Sequence, residues 1–228
     1  MNEYKQQEQG NVLIIILITI ALFAALYFTF TKSSNTGASG IMSDGQAKLA
    51  TSEILKFSHD VERGWSKLIQ NGCSESEISS VGDWSKGGYT NPLSPADNSC
   101  HLFHEDGANV ETMEVPDGVQ TTTGWWAGWW LTKINTDSLG NNTCQDQFLI
   151  MRYVNDTVCK EINQSLGHNF TNIPADGHFG GGDWALRTAF QCSGVGGAFD
   201  EANLVNKRSF CYDSTYGYNI YVHLLHER

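Results

Sequence analysis

The chain predicts an α+β fold in which a long N-terminal α-helix, transmembrane then amphipathic, packs on a C-terminal antiparallel β-sheet head with disulfides. Three observations lead there. Val12 to Phe30 is a run of 19 residues without a charge. Apolar residues then recur at helical spacing from Met42 to Gln70. Beyond residue 100, short apolar and β-branched runs lie between turn signals, and six cysteines are spread through the chain behind the apolar run.

Each element has a local reason. At about 1.5 Å per residue the apolar run makes a helix long enough to cross most of a bilayer's hydrocarbon core. A secretory signal has a basic front and a shorter apolar stretch, whereas "MNEYKQQEQG" is charge-balanced, so removal at the far end of the run is disfavoured. Thr31 to Gly40, "TKSSNTGASG", has hinge composition. Ala47, Ala50, Ile54, Phe57, Val61 and Leu68, with Gly64 and Trp65 near the end, make one face of an amphipathic helix of about eight turns. Asn71 and Gly72 tolerate the left-handed backbone that ends it.

Gly82 to Cys100 has the Gly, Pro, Asn and Asp content of a loop. Cys100 to Phe103, Val110 to Val115, Trp125 to Ile134 and Gln147 to Tyr153 read as strands. Asn155 caps a short helix whose stripe is Val158, Ile162 and Leu166 and which Gly167 closes. Ser209 to Tyr212 and Asn219 to Leu225 form a hairpin around an Asp/Ser/Gly turn. No internal repeat or second linker divides the region behind residue 41.

Composition narrows the function. With 40% hydrophobic and 11% aromatic residues the chain can build a core rather than stay disordered. Its net charge of −11, with Lys and Arg scattered singly, excludes a phosphate-neutralising stripe, so nucleic acid is not an expected partner. An even set of cysteines behind a membrane-targeting run favours disulfides in an oxidising compartment. The cysteines are Cys73, Cys100, Cys144, Cys159, Cys192 and Cys211. Six cysteines allow about 15 pairings, and short enclosed loops favour sequential pairing: Cys73 with Cys100, Cys144 with Cys159, Cys192 with Cys211.

No CxxC pair points to a structural metal, and no metal ligand set is assigned. In "CHLFHEDG", His101 and His104 would face opposite sides of a strand, which disfavours a site with Glu105 and Asp106. "NTDSLGNN" has Asn135, Asp137 and Gly140 of a calcium loop, but Asp146 stands where the bidentate glutamate belongs, so calcium is a minor alternative to no cofactor. In "TGWWAGWWLTKI", Trp125, Trp126, Trp129 and Trp130 offer a stacking surface for sugars or a partner. The alternative, which we favour, is that one alternate set fills the core against the amphipathic helix while the rest packs between subunits. Gly180 to Gly182 lacks the lysine and helix of a phosphate loop. No GxSxG or HExxH occurs, so catalytic residues are not expected. Four Asn-x-Ser/Thr sequons, at Asn141, Asn155, Asn163 and Asn169, read as mostly coincidental.

The polar leader "MNEYKQQEQG", the apolar run, its amphipathic continuation and the Cys192 to Cys211 region together resemble a type IV pilin or pseudopilin precursor. More narrowly, "GNVLIIILITIALFAAL", "NGCSESEIS", "SPADNSCHLFH" and "VCKEINQSLG" are similar to an alphaproteobacterial group of pilin-like proteins. The resemblance implies a leader over residues 1–10, a transmembrane and filament-core helix with hinge over 11–40, and a head over 41–228. It implies cleavage by a prepilin peptidase after Gly10, methylation of the new N-terminus at Asn11, and assembly into a helical homo-oligomeric filament by inner-membrane machinery. The subunit would sit in the inner membrane first and in a periplasmic or extracellular filament afterwards. Ala21, Ala24 and Ala25 would let neighbouring helices approach closely. Where the family has an aromatic residue after the cut and a glutamate at the fifth place, this chain has Asn11 and Ile15. A membrane-carboxylate contact that guides registration in the family is therefore missing, which implies a minor or tip-like subunit or assembly through another contact. A membrane-anchored extracytoplasmic module that binds carbohydrate or a partner without polymerising is the competing expectation.

Overall fold

A computed structural model describes residues 14–23, 42–80, 91–122, 127–134, 146–177, 199, 201–214 and 216–227. The chain divides into two units, Met1–Gly40 and Ile41–Arg228. In the first, helix α1 is described over residues 14–23. Its large apolar side chains from Ile14 to Phe23 are 52–70% exposed. The Thr19 hydroxyl donates to the Ile15 carbonyl at 2.7 Å, so its polar atom is satisfied within the helix.

Here the expected fold needs correction. At about 1.5 Å per residue, α1 spans roughly 15 Å, half of a hydrocarbon core. Among the described residues no helix is long and apolar enough to cross a membrane. Residues 24–41, with the expected hinge at Thr31 to Gly40, lie outside the described residues.

In the second unit, α2 covers Asp44–Gln70. Ser43 caps it, and Gln46 returns a bond to the cap backbone, a reciprocal box that satisfies two otherwise orphaned amides. The expected apolar face is buried as one stripe, Ala47, Ala50, Ile54, Phe57, Val61, Trp65 and Leu68. Asn71 is the C-cap and Gly72 follows at φ +96°. Gly64 has a packing reason: a Cβ there would stand 2.2 Å from Val110 Cγ2, so only glycine lets the 102–110 loop lie on the helix.

Among the described residues, five strands form one sheet in the order β1-β2-β5-β4-β3: β1 Gly128–Ile134, β2 Asp146–Val154, β3 Ala175–Asp176, β4 Ser209–Ser214 and β5 Tyr218–His226. Three of the pairings are antiparallel, but β3 runs parallel to β4, so the head's sheet is mixed rather than antiparallel throughout. Alternation gives it two buried faces. Trp129, Leu131, Leu149, Met151, Cys211, Tyr221 and Leu225 meet α2 and the second head helix. Phe148, Ile150, Phe210, Tyr212, Ile220, Val222 and Leu224 pack under Phe199 and Leu204 on the far side.

Two expected strands are absent. Residues 100–103 contribute a single bridge, His101 to Ser79, and residues 110–115 lie in no strand. Backbone bonds from Ala108 to His101 and from Asn109 to His104 fold this stretch on itself, with Asn109 at φ 57°. At Gly107 a Cβ would meet the His101 carbonyl at 1.9 Å, so the turn requires glycine.

Helix α3, Asp156–Ser165, has Asn155 as its cap, with Asn155 Oδ1 accepting from the Val158 amide at 2.9 Å. Leu166 is its C-cap, and Gly167 follows at φ +76°. Val158, Cys159 and Ile162 are buried against the sheet. Disulfides join Cys73 to Cys100 and Cys159 to Cys211. The second corrects the sequential pairing, in which Cys159 would meet Cys144 and Cys211 would meet Cys192. Packing of α3 over β4 brings the Cα atoms of Cys159 and Cys211 within 5.3 Å although they are 52 residues apart. Cys144 and Cys192 lie outside the described residues. Beside this bridge, the Asn163 amide accepts from the Cys211 N–H at 2.8 Å and donates to the Cys211 carbonyl at 2.7 Å. A side chain thus supplies the partner that a missing strand would give this part of β4.

Candidate functional site

Among the described residues, one group of histidines and a carboxylate is gathered closely enough to hold a metal ion, on the seam between α2 and the hairpin β4–β5. His59 and Glu62 are three residues apart on α2 and so project to one side of it. Across from them, alternation along β5 turns His223 toward α2, and the β4–β5 register sets Ser209 directly opposite His223. The three ligand-type atoms of His59, Glu62 and His223 lie within 4.8 Å of one another.

Glu62 Oε2 is the hub: His223 Nε2 approaches it at 3.2 Å and His59 Nδ1 at 3.3 Å. The other carboxylate oxygen faces Arg208 at 3.5 Å, and Arg208 also pairs with Glu227 at 3.0 Å. Hydrogen bonding from His223 is the main reason the Glu62 carboxyl is held down at about 2, against the upward push of its own partial burial. Burial is the main influence on His223 and pushes its imidazole below the ordinary range even though Glu62 pulls the other way. A neutral ring that donates from Nε2 to the carboxylate satisfies both tendencies. Nδ1 is then an acceptor, and the Ser209 hydroxyl lies 2.6 Å from it. The arrangement can bind a cation, or pass a proton between a hydroxyl and a carboxylate across one ring.

Around this cluster the other expected positions scatter. Gly10 and Asn11, the expected cleavage point, and Trp125 and Trp126 lie outside the described residues. Trp129 is 2% exposed and fills the core against Phe57 and Tyr221, with ring centroids 4.9 and 6.2 Å away. Trp130 is half-buried and packs against the far-face core. An exposed face built from all four tryptophans is therefore not available, because Trp129 points into the head. Of the Gly82 to Cys100 loop, residues 91–100 are described, and Asn91 ties their start down by accepting from the Leu93 amide and donating to the Ile78 carbonyl.

His101 and His104 do not diverge as a strand would require. Their rings stand edge to face with centroids 6.0 Å apart, because the stretch is a turn. Asp106 Oδ2 lies 3.4 Å from His104 Nδ1, which also accepts from the Asp106 amide at 3.2 Å, but among the described residues these groups do not close into a metal-ligand set. In the calcium-like stretch, residues 135–145 lie outside the described set, and Asp146 is buried at the start of β2.

Sequence reasoning did not find the seam cluster. His59 and Glu62 carried a signal, an i,i+3 pair on the polar side of a well-marked helix, but Glu62 and His223 are 161 residues apart. Comparison with protein-family models, curated proteins and solved structures finds no match to this chain.

Proposed function

We propose that this chain is a structural, non-enzymatic subunit of a pilin-like extracytoplasmic filament, processed after Gly10 and assembled through its apolar N-terminal segment. The observation that carries this is α1: its large apolar side chains are all more than half exposed. A helix that is apolar on every side is stable only when covered. Burying each such side chain against an apolar neighbour is worth roughly 1.5–3 kcal/mol, and identical helices from neighbouring subunits can supply that cover. Before assembly the segment would hold the subunit at the inner membrane, and afterwards it would line a periplasmic or extracellular filament.

The head is consistent with such a role. Among the described residues two disulfides cross-link it, as suits an oxidising compartment. Ile15 stands exposed where the resembling family carries a glutamate, so registration would rest on shape and on apolar packing along α1. Burial of Trp129 counts against a carbohydrate-binding module built on the tryptophan string.

N-terminal mass spectrometry of the mature protein, with electron microscopy of sheared cell-surface material, tests the proposal. Asn11 as the first residue and helical polymers containing the chain are the expected results. Surface-exposed mature protein that retains residues 1–10 would overturn it.

A further inference from the structure

Two imidazoles and a carboxylate from distant parts of the chain converge on the α2–β5 seam, and we infer that His59, Glu62 and His223 form a zinc-binding site with one open coordination position. The distances suit the ion. Zinc bonds of about 2.0–2.1 Å in a tetrahedron place ligand atoms roughly 3.3 Å apart. The separations of 3.3 Å from His59 Nδ1 to Glu62 Oε2 and 3.2 Å from His223 Nε2 to the same oxygen already match that edge. The remaining nitrogen–nitrogen separation is within 4.8 Å, and it can close by rotation of the His59 side chain, which is 62% exposed.

The donor set decides the class of ion. Two imidazole nitrogens with one carboxylate oxygen suit a borderline divalent metal, whereas calcium and magnesium take all-oxygen shells. When zinc takes Nε2 of His223, the ring proton moves to Nδ1, and the Ser209 oxygen 2.6 Å away is placed to accept it, the outer-shell bond that zinc-bound histidines usually make. Arg208 faces the other carboxylate oxygen and is partly neutralised by Glu227, which leaves Oε2 to the ion. Exposure of His59 keeps the fourth position open to water. Zinc here would tie α2 to the sheet at the surface of the head, whether or not the chain polymerises.

The test is calorimetric titration of the untagged full chain with zinc after chelator treatment, with cobalt in place of zinc to report the ligand field by visible absorption. One ion per chain is expected. His59→Ala and Glu62→Gln should each weaken binding more than the roughly tenfold to hundredfold that follows loss of an outer-shell partner, and Ser209→Ala by about tenfold. His104→Ala should leave affinity unchanged. His59 is exposed, so its variant keeps the fold, and matching circular dichroism of the metal-free proteins verifies that. Failure to bind zinc stoichiometrically, wild-type affinity in His59→Ala or Glu62→Gln, or loss of binding in His104→Ala would overturn the assignment.

Discussion

Helices α1 and α2 are both rich in aliphatic residues, yet they treat them in opposite ways. In α2 the apolar positions form one stripe, and that stripe is buried against the sheet and α3. In α1 they surround the axis, and the side chains stay exposed. What separates the two is not how hydrophobic the residues are but whether polar residues interrupt them at helical spacing. An interrupted pattern closes a core within the molecule; an uninterrupted one leaves apolar surface that only another molecule or a lipid phase can cover.

That contrast can be broken from either side. If the chain assembles through α1 as proposed, Ile18→Lys should abolish polymers, because an unpaired ammonium in an apolar contact costs several kcal/mol. The same change should shift the head's denaturant unfolding by less than about 0.5 kcal/mol, as for an ordinary exposed site. In the head the order reverses. Replacing Cys159 and Cys211 by serine should destabilise by about 4 kcal/mol in equilibrium unfolding, slightly more than loss of the Cys73–Cys100 bridge, because 52 residues separate the first pair and 27 the second. Ile54→Ala, on the buried stripe, should cost about 3 kcal/mol by the same measurement. Leu49→Ala, on the same helix but 70% exposed, should cost under about 0.5 kcal/mol. The smallest clear effect is expected from Ser43→Ala, about 1 kcal/mol through loss of the N-terminal cap, read as a lowered denaturation midpoint.

How legible each part was follows from the range of the interaction behind it. Helix α2 and its Asn71-Gly72 end are local patterns, and so are the Asn155 cap and the strands at Trp129, Phe148, Phe210 and Ile220. The capping box at Ser43 and Gln46 was equally local and was overlooked beside the stronger periodicity. Strand β3 has two residues, Ala175 and Asp176, too few for an alternation to show. Residues 110–115 have strand-like composition but pair with no strand, and the turn at Gly107 and Asn109 sets Val110 against Gly64 of α2. Loop length misplaced the partner of Cys159 because it ignores the amphipathic packing that sets α3 on β4. The His59, Glu62 and His223 cluster needs the β5 register as well as the α2 face, and neither alone brings the three together.

The strand order has one more consequence, for how the head comes to be folded. Strand β5 lies between β2 and β4, yet it follows every other described strand in the chain. Until it is available, β1 and β2 form no more than a hairpin, β4 has no antiparallel neighbour, and Tyr221 is missing from the helix-side core. Such long-range pairing is slow, and it cannot proceed in step with synthesis from the N-terminus. The head should therefore close in one late event, with the last described strand inserted between β2 and β4.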